Sequence, residues 1–280
     1  MLVPFLIMFR EGVEAALIVG IIASYLKQSG RGQWMPIVWI GIFLAIALSL
    51  TVGAALQFVQ AEFPQKMQEL FEAIIGLVAV CVLTSMVFWM RKAARSIKSE
   101  LQHSVDAALS SSSGGLGLAA MAFLAVVREG LESVFFLLAT FQQSDSSLAP
   151  LGALLGVALA ILVGYGIYVG GLKLDLRRFF RWTGIFILIV AAGILANAVK
   201  ALHEAGLWNG LQTVVFDLSD KLPLDSPLGS ALGGIFGYID APTISEVIAY
   251  VAYIALALFF YLAPLSRPVT ESSPQSASNR

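Results

Sequence analysis

The sequence predicts an all-α integral membrane protein with seven transmembrane helices. Of its 280 residues, 58% are hydrophobic and 12% are charged, whereas soluble globular proteins carry roughly twice that charged share. The mean hydropathy is +0.85. Several apolar stretches reach the roughly 20 residues that a helix needs to cross a bilayer. The net charge of −1 gives no indication of a nucleic-acid partner, and a single cysteine excludes an internal disulfide.

Apolar windows of the sequence predict where the seven spans lie, with ends placed to within a few residues. In chain order the spans are residues 2–26, 35–60, 69–91, 117–141, 149–171, 179–202 and 244–263. We expect the first span to stay in the mature protein, because charged residues interrupt the apolar core that a cleavable signal peptide requires.

The distribution of basic residues predicts the direction of each span. Lys27 and Arg31 follow the first span, and further basic residues follow the third, fifth and seventh. The other connections hold mostly acidic or neutral residues. Because positive residues favour the cytoplasm, the N-terminus is expected outside and the C-terminus inside.

Four segments between or after the spans carry patterns of their own. Apolar residues four apart predict a short surface helix over 96–109, followed by a flexible joint at 110–115. Within an external loop at 203–243, Leu207 to Leu222 show helical spacing, which predicts a second interfacial helix. The polar tail, residues 266–280, is expected to be disordered.

Two local patterns in the later spans favour structural roles. Thr243 and Glu246 fit a capping box at the start of the last span. Small residues recur at every fourth position of the fifth span and predict a close helix-packing face rather than a pore lining. They are Gly152, Gly156, Ala160 and Gly164.

One motif occurs twice. REGVEAALIV at 10–19 is matched by REGLESVFFL at 128–137, near the middle of the first and fourth spans. Three spans separate the copies, so the two helices are expected to cross in opposite directions. This arrangement predicts a three-plus-three inverted repeat with a site at the repeat interface. The single permease domain would then cover 1–265, with repeats at about 1–95 and 115–202 and an added seventh helix.

The charges of the two motifs are costly inside a bilayer. Each central charge costs roughly 2.5–3.5 kcal/mol on insertion scales, whereas each large apolar residue returns only about 0.3–0.6 kcal/mol. Residues three and four apart share a helix face, so Arg10 can pair with one carboxylate of its motif and Arg128 can do the same in the second. Both copies would keep a formal charge of −1 if their carboxylates are ionised. Gly12 and Gly130 would permit close helix approach.

Four carboxylates with spare negative charge predict a cation site. They are Glu11, Glu14, Glu129 and Glu132. Oxygen ligands suit hard ions such as Fe³⁺, Mg²⁺, Ca²⁺ or Mn²⁺, and both histidines lie outside the apolar centres. The alternative is that each motif is only an Arg–Glu tie between helices. A functional site is favoured, because ionisable residues within the membrane are functional by default.

The paired motifs resemble those of the oxidase-dependent iron transporters, and especially the bacterial members of that family. The resemblance covers nearly the whole chain, through the blocks VPFLIMFREGVEAALIV, EFPQKMQELFEAI, VFWMRK, VVREGLESVFFLLA, LHEAGLW and GIFGY. It implies an iron permease of the bacterial cytoplasmic membrane, with iron (Fe²⁺ or Fe³⁺) as transported substrate and no permanently bound cofactor. The four glutamates would line the iron path, and Arg10 and Arg128 would balance their charge.

The resemblance also implies partners that carry out redox chemistry. Bacterial members work with a periplasmic protein of the EfeO or EfeM type and with a haem peroxidase of the EfeB type. This chain has no recognisable copper or haem motif, consistent with such chemistry residing on partners. The oligomeric state, the energy source and the oxidation state of the iron that crosses stay open.

Two pairs of residues at the outer helix ends are candidates for an entrance site. Glu69 and Glu72 begin the third span, where acids are also favoured by the helix dipole. His203 and Glu204 end the sixth span, where a wetted helix end beside the aromatic anchor Trp208 explains them equally well.

Three other functions remain open from the sequence. The first is transport of a different hard cation, such as Mn²⁺ or Mg²⁺. The second is a membrane di-iron enzyme, although such sites add a Glu-x-x-His pair in each half and the predicted spans of this chain contain none. The third is a purely structural membrane subunit, which would bind no metal.

Overall fold

The protein is a helical bundle. The computed structural model describes residues 2–61, 64–93, 97–110, 115–142, 148–168, 176–224 and 226–263. Within these ranges the chain forms nine α-helices, a 3₁₀ turn at Gly32–Trp34 and one isolated β-bridge. The helices are α1 (Leu2–Gln28), α2 (Met35–Ala61), α3 (Gln65–Ala93), α4 (Ile97–Ser110), α5 (Gly115–Gln142), α6 (Ala149–Tyr168), α7 (Leu176–Glu204), α8 (Pro227–Phe236) and α9 (Ile244–Leu262). The predicted all-α class is confirmed.

Among the described residues, five helices are long and apolar enough to cross a membrane. They are α2, α3, α6, α7 and α9, which correspond to five of the predicted spans. The motif helices α1 and α5 have 27 and 28 residues, which is long enough to span. They fall outside the apolar set because an arginine and two glutamates interrupt the middle of each.

Close helix contacts at small residues hold the pair α1–α6 together. A Cβ placed on Gly12 would lie 2.6 Å from the Cβ of Ala160, and Gly156 lies directly against the backbone of Phe5 and Phe9. Gly164 contacts Ala16 one turn further along. The predicted close packing at this face of α6 is therefore confirmed, although Ala160 and Gly164 also line a cavity between α1, α2, α5 and α6. Extensive packing also joins α2 with α5, and α3 with α7.

Two hydrophobic clusters fix how α1 lies against α5. Ile7, in the first half of α1, shares a cluster with Phe136 in the second half of α5. Ile22, in the second half of α1, shares the other cluster with Leu118 in the first half of α5. The N-terminal half of each helix therefore lies beside the C-terminal half of the other. The central segments that carry the REG motifs lie between the clusters.

The predicted interfacial helix over Leu207–Leu222 is wrong. The chain leaves α7 at Gly206, whose φ of 75° only glycine adopts readily. It then pairs with the segment before α9, where the Val215 N–H donates to the Pro242 carbonyl at 2.9 Å and the Ile244 N–H donates to the Thr213 carbonyl at 3.0 Å. These bonds use the backbone groups that a helix would have used. The helix in this region is α8, which the sequence analysis did not predict.

The other local predictions have clear outcomes. The short helix predicted over 96–109 is confirmed as α4, which is tied to α1 by a hydrogen bond from Tyr25 to Asp106 at 2.6 Å. The cap of α9 is also confirmed, since the Thr243 N–H donates to Glu246 Oε2 at 3.1 Å. Most of the predicted joint, 111–114, and the tail, 266–280, lie outside the described residues.

Candidate metal centre

Three glutamates from α1 and α5 converge in the middle of the bundle. Glu11, Glu14 and Glu129 each place one carboxylate oxygen within 4.8 Å of the others. All three are buried, with exposed fractions of 2%, 3% and 6%. This spacing is compatible with three carboxylates contacting a single cation, and oxygen atoms are the ligands that hard cations prefer.

Arg10 holds the carboxylates of its own motif. Its Nη1 lies 2.8 Å from Glu11 Oε1, and its Nη2 lies 2.9 Å from Glu14 Oε1. Nη1 also donates to the thioether sulfur of Met86 on α3 at 3.1 Å. Only 1% of Arg10 is exposed. The guanidinium therefore contacts two carboxylates, where one pairing per motif was predicted.

The second motif is arranged differently. Arg128 Nε lies 3.0 Å from Glu132 Oε1, and 45% of the Arg128 side chain is exposed. Its guanidinium carbon lies 4.3 Å from the centroid of the Trp89 ring on α3, a cation–π contact. Glu132 is buried but does not belong to the group of converging carboxylates. The two copies of the motif are thus similar in sequence and unequal in environment.

Several buried carboxylate oxygens have no hydrogen-bond partner within the described part of the chain. They are Glu11 Oε2, Glu129 Oε2 and Glu132 Oε2. Leaving a buried polar group unpaired costs about 1–3 kcal/mol, and more for a charged group. Four carboxylates and two guanidiniums also give the site a formal charge of −2 if all are ionised. A bound cation would satisfy both the free oxygens and the excess charge.

Three of the four candidate entrance residues surround one small cavity. Glu69, Glu72 and Glu204 line a space of about 220 Å³ between α3 and α7, together with Asn197 and Lys200. The Glu69 and Glu204 carboxyl groups therefore lie close to each other across the two helices. The packing of α3 on α7 therefore joins two acidic segments that are distant in sequence.

The structure places His203 apart from that group. Its Nε2 lies 3.3 Å from the Ser245 hydroxyl, and its Nδ1 lies 4.0 Å from Glu246 Oε1. Only 8% of its side chain is exposed. His203 thus joins α7 to the capped start of α9 and does not line the cavity of Glu69, Glu72 and Glu204.

Sequence reasoning missed the residues of α3 that contact the two arginines. Met86 and Trp89 lie three residues apart on one face of that helix, beside Arg10 and Arg128 respectively. The available signal was the block VFWMRK, which contains Trp89 and directly follows Met86. No pattern within the block indicated that it faces the motifs.

Comparison with known proteins assigns the chain to a family. Residues 1–267 match the model of the iron permease FTR1 family. The chain belongs to this family. It is 58% identical over 265 residues to the ferrous iron permease EfeU of Yersinia pestis, covering 94% of each chain. It is 52% identical over 273 residues to the EfeU of Escherichia coli O157:H7, covering 97% of this chain and 99% of that one. No solved structure matches it.

Family membership confirms the resemblance drawn from the sequence blocks. It also confirms the expectation of a transporter rather than an enzyme, because the family and the relatives are named as permeases. The match extends through all nine helices and is not restricted to the REG motifs.

Proposed function

We propose that this chain is an iron permease of the bacterial cytoplasmic membrane, with the glutamates of the two REG motifs lining its iron path. The observation that carries the proposal is the convergence of three buried carboxylates from α1 and α5. The relatives are named ferrous iron permeases. By analogy, the chain works in an EfeUOB-type system with an EfeO- or EfeM-type periplasmic protein and an EfeB-type haem peroxidase.

The proposed topology has seven spans, an external N-terminus and an internal C-terminus. Helices α1–α3 and α5–α7 form an inverted repeat, and α9 is added to it. The helix contacts support this arrangement. In such a repeat α1 corresponds to α5, α2 to α6 and α3 to α7. The packing of α1 on α6 then has its counterpart in the packing of α5 on α2, and both are observed. The observed pairs α3–α7 and α1–α5 are each their own counterpart. The opposite directions of α1 and α5 within the two core clusters fit an inversion.

The ion moves along this path in steps between carboxylates. Glu69, Glu72 and Glu204 collect cations at the outer ends of α3 and α7, and the central glutamates receive them. Arg10 and Arg128 reduce the net charge, so that the ion is held weakly enough to leave. His203 contacts Ser245 of α9, so it connects the outer end of α7 to α9 and does not line the path.

Replacing a path glutamate by glutamine tests the proposal, because glutamine keeps the shape and removes the charge. We expect Glu14→Gln and Glu129→Gln to lower iron uptake at least about tenfold, since even groups that only support a metal ligand are worth that factor. The measurement is uptake of radioactive iron by purified protein in liposomes, with ferrous and ferric iron supplied separately.

Glu100→Gln on α4 is the matched control, because that carboxylate lies on a surface helix outside the cluster. It should leave uptake unchanged, and all variants should insert normally into the membrane. Normal uptake by Glu14→Gln or by Glu129→Gln would contradict the assignment of the path.

Transport of another hard cation is the second candidate. The cluster offers only carboxylate oxygens, and these suit Mn²⁺ and Mg²⁺ as well as iron. Competition in the same liposomes separates the candidates. An excess of Mn²⁺ or Mg²⁺ that abolishes iron uptake, and is itself transported faster, would favour the second.

A further inference from the structure

A large cavity connects the carboxylates to one end of the bundle. It has a volume of about 940 Å³, lies between α1, α2, α5 and α6, and extends from Glu11 and Glu129 to Lys27. Sixteen residues of α1 separate Glu11 from Lys27, which corresponds to about 24 Å along a helix axis. In the proposed topology this end faces the cytoplasm.

Few polar groups line this cavity between its two ends. Two of them are the serines Ser49 of α2 and Ser133 of α5, which line the cavity together with Glu11 and Glu129. Both are buried, with exposed fractions of 5% and 9%. The cavity also receives Glu11 and Glu129, whose Oε2 atoms are buried and have no hydrogen-bond partner among the described residues.

The position of Ser49 depends on the missing side chain of Gly130. A Cβ at Gly130 would collide with the Ser49 hydroxyl and lie 2.9 Å from the Ser49 Cβ. The missing side chain of Gly130 therefore lets a hydroxyl of α2 approach the backbone of the second motif, one residue after Glu129. Ser133 follows Glu129 by one helical turn and donates to its carbonyl at 2.8 Å.

Both hydroxyls keep lone pairs that can face a cation. Ser49 donates its proton to the Ala45 carbonyl at 2.9 Å, and Ser133 donates to the Glu129 carbonyl. A hydroxyl has one O–H donor and two lone pairs, so each oxygen can still donate a lone pair to a metal ion. A neutral oxygen holds a hard cation less tightly than a carboxylate does, which favours release.

We propose that Ser49 and Ser133 supply the neutral oxygen ligands onto which an iron ion moves when it leaves the carboxylates for the Lys27 end of the bundle. This inference rests on the proposed function and extends it to α2, which carries no part of the REG motifs. Ser49 then determines how fast iron is released rather than how tightly it is first bound.

A cysteine at position 49 tests the proposal, because a thiolate binds soft metals strongly. Cys81 is exposed, so the parent for this test is Cys81→Ser. In liposomes, Ser49→Cys should take up iron in the absence of Cd²⁺ and become at least about tenfold more sensitive to Cd²⁺ than the parent, as expected for a gained soft ligand. An excess of iron should protect it.

Thr51→Cys is the matched control. Thr51 lies on the same helix, has the same type of hydrogen bond to the carbonyl four residues earlier, and is exposed on the outer face. It should keep the Cd²⁺ sensitivity of the parent. Ser133→Cys is a second test variant and decides the question if Ser49→Cys does not reach the membrane.

Removal of the hydroxyl provides an independent readout. Ser49→Ala should lower the maximal uptake rate about fivefold to tenfold, the size expected for one lost polar contact, while the KM for iron changes little. A structural defect would instead reduce the amount of inserted protein. Thr51→Val should change neither value.

The outcomes separate the two proposals. One outcome is that the parent takes up iron while Ser49→Cys and Ser133→Cys both keep the Cd²⁺ sensitivity of the parent. That outcome would overturn this inference and leave the proposed function standing. No iron uptake by the parent would overturn the proposed function, and the inference with it.

Discussion

At the scale of single residues, the two arginines of the repeated motif have different energetic roles. Arg10 is buried among Glu11, Glu14 and Met86, so its charge compensates two carboxylates that water does not reach. Arg128 lies half exposed over Trp89 and pairs with one carboxylate. The first arginine is therefore needed for the stability of the bundle, whereas the second can change partners at lower cost.

This difference predicts unequal effects of the same substitution. Arg10→Met should lower the free energy of unfolding by about 3–5 kcal/mol, because removing one partner of a buried ion pair leaves uncompensated charge. Arg128→Met should cost about 1 kcal/mol or less, as is typical of an exposed pair. Thermal unfolding in detergent, followed by tryptophan fluorescence, measures both variants.

Partial rescue provides the control for this prediction. The double variant Arg10→Met/Glu11→Gln removes one of the two stranded charges and should be more stable than Arg10→Met alone. Equal losses of stability in Arg10→Met and Arg128→Met would show that the two environments are not different in energy.

At the scale of helices, close approach at glycine determines the packing of α1 on α6. Gly12 faces Ala160 at a distance that leaves no room for a methyl group, whereas a Cβ on Gly20 would meet nothing within 4 Å. Both glycines lie in α1, so their intrinsic helix propensities are the same. Only their neighbours differ.

We expect opposite results from the same change at these two positions. Gly12→Ala should destabilise the protein by about 1–3 kcal/mol, because an overpacked interface has to move apart. Gly20→Ala should stabilise it by about 0.5–1 kcal/mol, because alanine loses less conformational entropy in a helix. Thermal unfolding of the two variants side by side is the measurement, and equal stability would contradict the close packing of α1 on α6.

The segment between α7 and α8 shows why helical spacing alone can mislead. Leucines at helical intervals from Leu207 to Leu222 indicated an interfacial helix, yet the segment forms the bridge between Val214 and Thr243. Leu211 even has a φ of 57°, which a helix does not contain. Periodicity describes a segment by itself, and here hydrogen bonds to a segment some 30 residues away decided the conformation.

At the scale of the whole molecule, the number of spans decides which ends of the helices share a side of the membrane. With α1 and α5 spanning, Ser104 on α4 and Gln212 after α7 lie on opposite sides. If only the five apolar helices span, α5 does not cross and these two residues lie on the same side. The two topologies therefore give opposite labelling patterns.

Cysteine labelling in the Cys81→Ser parent measures this directly. Ser104→Cys should react with a membrane-impermeant thiol reagent only after the cytoplasmic side is opened, and Gln212→Cys should react in intact cells. Ser29→Cys, at the end of α1, should behave like Ser104→Cys. Labelling of Ser104→Cys and Gln212→Cys from the same side would rule out the seven-span topology.

The sequence by itself determined the helical class, the positions of most helices, the repeated motif and the family. These properties follow from local features, because the length of an apolar run and the spacing of residues along one helix do not depend on distant neighbours. For the same reason the glycine face of α6 and the cap of α9 were predictable.

Only the tertiary structure decided which side chains meet. Four features of the site each depend on a neighbouring helix. They are the contact of Arg10 with Met86, the position of Ser49 beside Gly130, the separation of Glu132 from the other three carboxylates, and the contact of His203 with the start of α9. Two copies of one motif thus acquired different surroundings. The physical reason is that burial and pairing of a charge are set by the packing around it, which no single segment of the sequence contains.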